Sequence, residues 1–374
     1  MINFFTPEIT SHDRALLNKV CKTGWISSQG LTVKQFEQEF ALWHKMKFAV
    51  AVSNCTVALH LSLLAANIKK GDEVICTNLT FIAPANMILL SGAKLVLIDI
   101  EKENFTMNLE KIENKITKKT KAILVVHPFG CPVDMIRVMR IAKKHNLTVI
   151  EDVAEAIGAK FKEKLCGTFG DMSCFSFFAN KIMTTGEGGM ILTNNKKTYL
   201  KLKLLRDHGM TQEKKYYHKV LAFNYRMTAM QAAIGLSQLR RLDKILKKRE
   251  SIEKLYYFYL KNKLLKYKIF REFSKDIKPV NWFITITLKK PSFRNSLIKY
   301  LSENNIETRP MVFPLSFATH IKNMSKKKDA LVSKIISLSS LHLPSFNKIS
   351  SRQIKYICSK ILIWSKHKNA FYEK

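Results

Sequence analysis

A chain of 374 residues is too long for one ordinary core and leaves room for a large unit and a smaller one. Apolar residues make up 47% of it, which excludes a disordered chain, while 63 Lys and Arg against 29 Asp and Glu give a formal charge of +34. The N-terminus lacks a basic stretch followed by an apolar one, no apolar run suits a bilayer span, and seven scattered cysteines without a C-x-x-C spacing read as reduced thiols of a cytoplasmic protein.

Residues 47 to 195 alternate strand-like and helix-like segments. "KFAVAVSN" predicts a strand, "CTVALHLSLLAANIKKG" a helix closed by Gly71, and "DEVICTN" the next strand. A helical "FIAPANMILLSG", the strands "AKLVLIDI" and "KAILVVHP", a helical "VDMIRVMRIAKKHN" and the strands "LTVIEDV", "MSCFSFF" and "GMILTNN" follow. Short apolar strands separated by helices predict a mainly parallel sheet covered on both faces. Ligands of such sheets collect beyond the carboxyl ends of the strands, where Asn54, Asp152 and the approach to Lys181 fall. From about residue 196 the pattern turns helical, and "NYRMTAMQAAIGLSQLRRLDKILKKRESIEKLYYFYL" predicts a long connecting helix. The strand "VNWFITITLKK", the helix "SFRNSLIKYLSENN" and a last helix near 350–366 predict a small α+β domain. The expected division is 1–245 and 246–374.

Lys181 stands between an apolar run and "TTGEGG", a setting that suits either a lysine snorkelling from an edge strand or a buried nucleophile. Gly186, Gly188 and Gly189 free the backbone for a tight turn or a close approach, in neither a dinucleotide-binding nor a Walker A spacing. Asp152 reads either as a helix N-cap, with Glu155 completing a capping box, or as the partner of a cationic heterocycle. Thr56 and Val57 open a helix whose free N–H groups suit an anion, and Ser176 adds a hydroxyl or is an ordinary strand serine. A lysine able to form a Schiff base, a carboxylate and an anion site are the groups that pyridoxal phosphate requires for its aldehyde, ring nitrogen and phosphate.

The stretches "WISSQG", "SNCTVALHLSL", "LTFIAPANMILLSGAKLVLIDI", "IEDVAEAIGAKF", "CFSFFANKIMTTGEGGMILT", "LRDHGM", "FNYRMTAMQAAIGLSQL" and "IETRP" carry a resemblance to the DegT/DnrJ/EryC1/StrS family of sugar aminotransferases. The resemblance implies a fold of PLP-dependent transferase type I, aspartate-aminotransferase-like, with a mainly parallel mixed sheet in the large domain. It implies that Lys181 attaches pyridoxal 5′-phosphate covalently, with pyridoxamine phosphate carrying the amine, that Asp152 pairs with the ring nitrogen and that Glu155 approaches the ring hydroxyl. Phe81 would stack on the ring, Ser176 and the Thr56–Val57 backbone would hold the phosphate, and Asn224 would reach it from the partner subunit of a homodimer. His208 and Arg309 fall in motifs near the substrate. The implied partners are a nucleotide-diphosphate keto sugar, GDP-4-keto-6-deoxymannose favoured, and an amino-acid donor, L-glutamate, with no membrane.

Ala179, Cys131 and Ile157 depart from the commoner Gly, polar residue and His of the family pattern, which bears on the choice of sugar and leaves the cofactor set intact. Retention of Lys181, where dehydratases of the family carry histidine, favours transamination. The rival readings are amination at C3 or of a UDP- or dTDP-linked sugar, and a non-catalytic relative that uses its charge on nucleic acid. The charge also suits steering of an anionic substrate.

Overall fold

Nearly continuous runs of β-branched and aliphatic residues have nowhere to go but a sheet interior, and they form one. In the computed structural model, described for residues 1–211, 214, 216–261, 267, 268, 270–322, 330–366, 372 and 373, the central strands are β1 (Phe48–Val52), β2 (Glu73–Thr77), β3 (Lys94–Ile98), β4 (Thr120–Val126) and β5 (Thr148–Asp152). After a hairpin of β6 (Lys160–Phe161) and β7 (Lys164–Leu165) come β8 (Met172–Ser176) and β9 (Gly189–Thr193). The sheet order is β1-β9-β8-β5-β4-β2-β3. Only β9 runs against its neighbours; every other pair is parallel, as expected.

Alternation along each strand divides the side chains between two cores. Val50, Val52, Leu124, Val126 and Ile150 face one side, covered by α3 (Cys55–Ala65) and α4 (Ala83–Leu90). Ala49, Ala51 and Phe175 face the other, under α2 (Leu31–Trp43) and α7 (Ala229–Leu239), with α5 (Met135–His145) covering Ile123, Val125 and Val149 further along. Helix α3 is apolar on all sides because it is buried on all sides, and each of its fully buried leucines contributes roughly 1.5–3 kcal/mol.

Two helical expectations differ from the structure. The helix predicted to end at Gly71 stops at Ala65, because Asn67 takes the left-handed conformation (φ +59°) and the chain closes into a turn in which Lys69 N–H donates to Asp72. The long connecting helix is two, α7 and α8 (Leu242–Tyr256), broken at Arg240–Arg241. Arg241 leaves helical geometry to reach Asp13 at 2.6 Å in α1 (Ser11–Thr23), while Arg240 turns to Glu39 at 2.7 Å.

The C-terminal part adds α6 (Lys196–Arg206) behind the sheet, then β10 (Tyr267–Lys268), β11 (Ile277–Lys278), β12 (Ile284–Thr287), β13 (Arg309–Pro310), β14 (Ser340–Leu343) and β15 (Tyr372–Glu373), with α9 (Pro291–Glu303), α10 (Leu331–Ser339) and α11 (Ser351–Lys366). Strands β12, β14 and β13 form a small sheet over α8, α9 and α11, and Ile2 and Phe5 pack against the same cluster. Asp99, just past β3, accepts the Val332 and Ser333 N–H groups at 2.9 Å and so caps α10 from the large sheet. The strand predicted over "VNWFITITLKK" pairs only from Ile284 to Thr287; Asn281 to Phe283 leave the small sheet and turn to the site below. Among the described residues no helix is long and apolar enough to cross a membrane.

Candidate active site

The carboxyl ends of β5 and β8 and the amino end of α3 meet at one rim. Asp152 ends β5, is buried, and accepts the Ala154 N–H at 2.9 Å, closing a turn with no helix behind it, so the helix-cap reading falls away. Burial raises its carboxyl above the usual range, opposed by the Ala154 N–H and the charge of Lys181. Glu155 accepts the Phe129 N–H at 2.7 Å and presents its other oxygen to Lys181 Nζ at 3.9 Å; burial raises this carboxyl as well.

Lys181 sits on the loop between β8 and β9, in the middle of the sheet rather than at an edge, and its side chain is only 12% exposed. Burial lowers its proton affinity, opposed by Glu155, Asp152 and the thiol of Cys55. The loop is stitched at several points. Phe177 N–H donates to the Gly188 carbonyl, Lys181 N–H to the Phe178 carbonyl, and Thr184 N–H to the Gln238 side chain of α7 at 2.8 Å. Gly186 takes φ +82°, and a Cβ on Gly189 would come within 2.6 Å of the Asn54 carbonyl carbon, so glycine lets β9 start against the head of α3. Trp282 covers the lysine: Nζ lies 3.7 Å from the centre of its ring, and its indole N–H donates to the Asn180 carbonyl at 2.6 Å.

At the head of α3, Asn54 caps the helix by accepting the Val57 N–H at 3.0 Å, so that amide is engaged, while Cys55 and Thr56 open the helix ahead of any i−4 carbonyl. Ser176, half-buried at the end of β8, accepts the Phe178 N–H at 3.3 Å. Phe81 is 61% exposed, beyond the end of β2. Asn224 is exposed on a segment whose next residue, Tyr225, accepts the Ser53 N–H at 3.0 Å. His208 is exposed at φ +54° and its carbonyl takes a hydrogen bond from His218. Arg309 pairs with Glu307 at 2.7 Å and lies 5.8 Å from the Phe4 ring. The structure therefore gathers Lys181, Asp152 and Glu155, while His208 and Arg309 make their contacts with other residues.

Several supporting residues carry no local sequence signal. Glu151, beside Asp152 but on the other face of the sheet, accepts the Gly167, Phe169 and Gly170 N–H groups at 2.7–2.8 Å and His127 Nε2 at 3.1 Å. His127 Nδ1 accepts the Val133 N–H, so the ring proton is on Nε2 and is donated to Glu151. Burial opposes ionisation of Glu151, yet the bond from His127 and the amides hold its carboxyl below the usual range. Arg271 is buried and donates to the Pro128 and Phe129 carbonyls, which fixes the turn presenting its N–H to Glu155. Trp282 and His127 sit where a strand begins or ends, which is the only hint of them in the sequence.

The donor set suits the expected cofactor: a buried lysine of lowered proton affinity, a buried carboxylate for a ring nitrogen, and a helix start with a serine hydroxyl for a phosphate. Among the described residues no cluster of three or more His, Cys, Asp and Glu stands ready for a metal ion.

A model of the DegT/DnrJ/EryC1/StrS aminotransferase family matches residues 7–362. A GDP-perosamine synthase of Escherichia coli O157:H7 is 40% identical over 96% of this chain and 97% of its own length. A protein of the same name from Vibrio cholerae is 38% identical over 96% and 98%. Among solved structures, an aminotransferase from Psychrobacter cryohalolentis superposes with a TM-score of 0.91 at 28% identity, covering 97% of this chain and 100% of that one.

Proposed function

Because this chain belongs to the DegT/DnrJ/EryC1/StrS aminotransferase family, we propose that it transfers an amino group from L-glutamate to C4 of a nucleotide-linked 4-keto-6-deoxyhexose, with GDP-4-keto-6-deoxymannose as acceptor and GDP-perosamine as product. The observation that carries the reading is a lysine amine buried between Asp152 and Glu155 at the carboxyl end of a parallel sheet. Relatives named for the GDP-linked product match nearly the whole chain and support the choice of acceptor.

Pyridoxal 5′-phosphate, when bound, supplies an electron-withdrawing ring that stabilises negative charge on a substrate carbon, and as pyridoxamine phosphate it carries the amine. Lys181 anchors it and, once released as a neutral amine, accepts a proton at Nζ and returns it, a task suited to a lysine whose proton affinity burial has lowered. Asp152 keeps a proton on the ring nitrogen, and Glu155 faces the ring hydroxyl. Phe81 covers the ring, while Ser176 and the amide of Thr56 take the phosphate; the Val57 N–H, part of the same expected site, is held by the Asn54 side chain. Asn224 completes the phosphate site of a second copy, which makes the working unit a homodimer with shared sites. His208 and Arg309 serve the sugar nucleotide. We place the domain division at 1–245 and 246–374 and the reaction in the cytoplasm, a setting suited to seven free thiols.

The test is borohydride reduction of the cofactor-loaded protein with peptide mapping, followed by product analysis over GDP-, UDP- and dTDP-linked 4-keto sugars. The expected result is a reduced adduct on the Lys181 peptide, absent in Lys181→Ala, and a C4 amino sugar from the GDP substrate. An adduct elsewhere, or turnover retained by Lys181→Ala, sinks the assignment. A C3 product or a UDP- or dTDP-linked preference overturns the acceptor, and steeply salt-dependent duplex binding without a cofactor band points to the nucleic-acid reading.

A further inference from the structure

We infer that Trp282 is a positioning residue for the reactive lysine: its indole face confines the Lys181 amine while its N–H fixes the adjoining backbone at Asn180. The inference rests on Lys181 being the reactive amine, as proposed above.

Three observations support it. The amine is 3.7 Å from the ring centre, closer than its 3.9 Å approach to Glu155. The indole N–H is committed to the Asn180 carbonyl at 2.6 Å, next to the lysine in the chain, and the Asn180 side-chain oxygen is buried without a hydrogen-bond partner. The tryptophan itself is held from behind. It is 7% exposed, it stacks on Phe283 with ring centres 3.8 Å apart, and the buried Arg249 donates to the carbonyls of both Asn281 and Trp282.

An aromatic face has a property that the other neighbours of this amine lack. Of the titratable groups whose charges reach the lysine, the carboxyls of Glu155 and Asp152 can each take up a proton and so compete for the one the amine handles, while burial keeps the Cys55 thiol protonated. The indole attracts an ammonium through its ring electrons and cannot accept that proton. It therefore holds the amine in place and keeps water off it without entering the acid–base chemistry. Residues 281–283 leave the small sheet to make this contact, so a segment of the C-terminal part sets the direction from which Lys181 acts.

The experiment compares Trp282→Leu, which keeps apolar bulk but loses the ring and its N–H, with Trp282→Phe, which keeps the ring. In cofactor-free protein, the pH dependence of Lys181 acylation by acetic anhydride is followed by peptide mass spectrometry. In loaded protein, kcat and KM for the keto sugar are measured. Trp282→Leu should lower the acylation midpoint, because the site stays dry while the group that favours the ammonium is gone. It should also reduce kcat by about tenfold to a hundredfold with KM little changed, the signature of a misaimed group. Trp282→Phe should recover the midpoint through its ring but only part of kcat, because the hydrogen bond to the Asn180 carbonyl is lost. An unmoved midpoint in Trp282→Leu, or loss of thermal stability alone with kcat per folded molecule intact, overturns the inference. If Trp282→Leu does not fold, an altered midpoint in Trp282→Phe overturns it instead. Failure of borohydride to label Lys181 would count against the function, whereas the acylation midpoint of the cofactor-free protein tests the Trp282 contact separately.

Discussion

Glu151 carries charge at a fully buried place, with the His127 ring as its side-chain partner. Its two oxygens take three backbone N–H groups and the Nε2–H of a histidine whose other nitrogen is already accepting, so the ion is solvated by fixed dipoles. Glu151→Gln puts an NH2 group where N–H donors point, and each unmatched buried group costs about 1–3 kcal/mol, so a loss of about 3 kcal/mol at neutral pH is expected. The sign of the pH effect follows from a carboxyl held below its ordinary 4.5: its stabilisation is complete above that value and is lost as pH falls through the lower folded value. Urea unfolding at neutral pH and below pH 4 should show the gap between wild type and variant closing in acid; a gap of constant size counts against this account. At this scale the sequence was legible where a residue stands at the end of an apolar run. Lys181 and Asp152 stand at such places and Glu155 three residues beyond, and the structure brings the three side chains together. Trp282 reaches Lys181 across about a hundred residues of chain, and periodicity says which face a residue takes, not which segment it will meet.

The elements were legible wherever a single pattern ran between two breakers. Strands β1 to β5, β8 and β9 fall where their apolar runs do, while the ends of α3 and the join of α7 to α8 depended on Asn67 and on arginines drawn to carboxylates of other helices. The turn between β4 and α5 shows the same dependence. Gly130 has φ +80°, its carbonyl oxygen accepts the Val280 N–H, and a Cβ there would run into the Val280 carbonyl. Gly130→Ala should therefore destabilise the protein by about 1–3 kcal/mol through backbone strain alone, and by more through the collision. It should also weaken cofactor binding, because Phe129, the preceding residue, supplies the N–H that holds Glu155. Thermal unfolding and cofactor titration check both parts, and a wild-type melting temperature would contradict the geometry.

Over the whole molecule the excess of 34 positive charges has a consequence for an anionic sugar nucleotide. A diffuse field is screened within about 10 Å at 0.1 M salt and about 3 Å at 1 M. Raising ionic strength across that range should increase KM for the keto sugar several-fold and leave kcat unchanged; a flat KM would mean that the charge plays no part in capture. Composition gave this charge without its purpose, since the same lysines suit nucleic acid. The caps that Asp99 provides to α10, and the cover that Trp282 provides to Lys181, also join residues far apart in the chain. Synthesis runs from the N-terminus, so the ribosome delivers the lysine about a hundred residues before the tryptophan that covers it. For that interval the nascent chain carries an uncovered amine, and a fragment ending before Trp282 would carry it permanently.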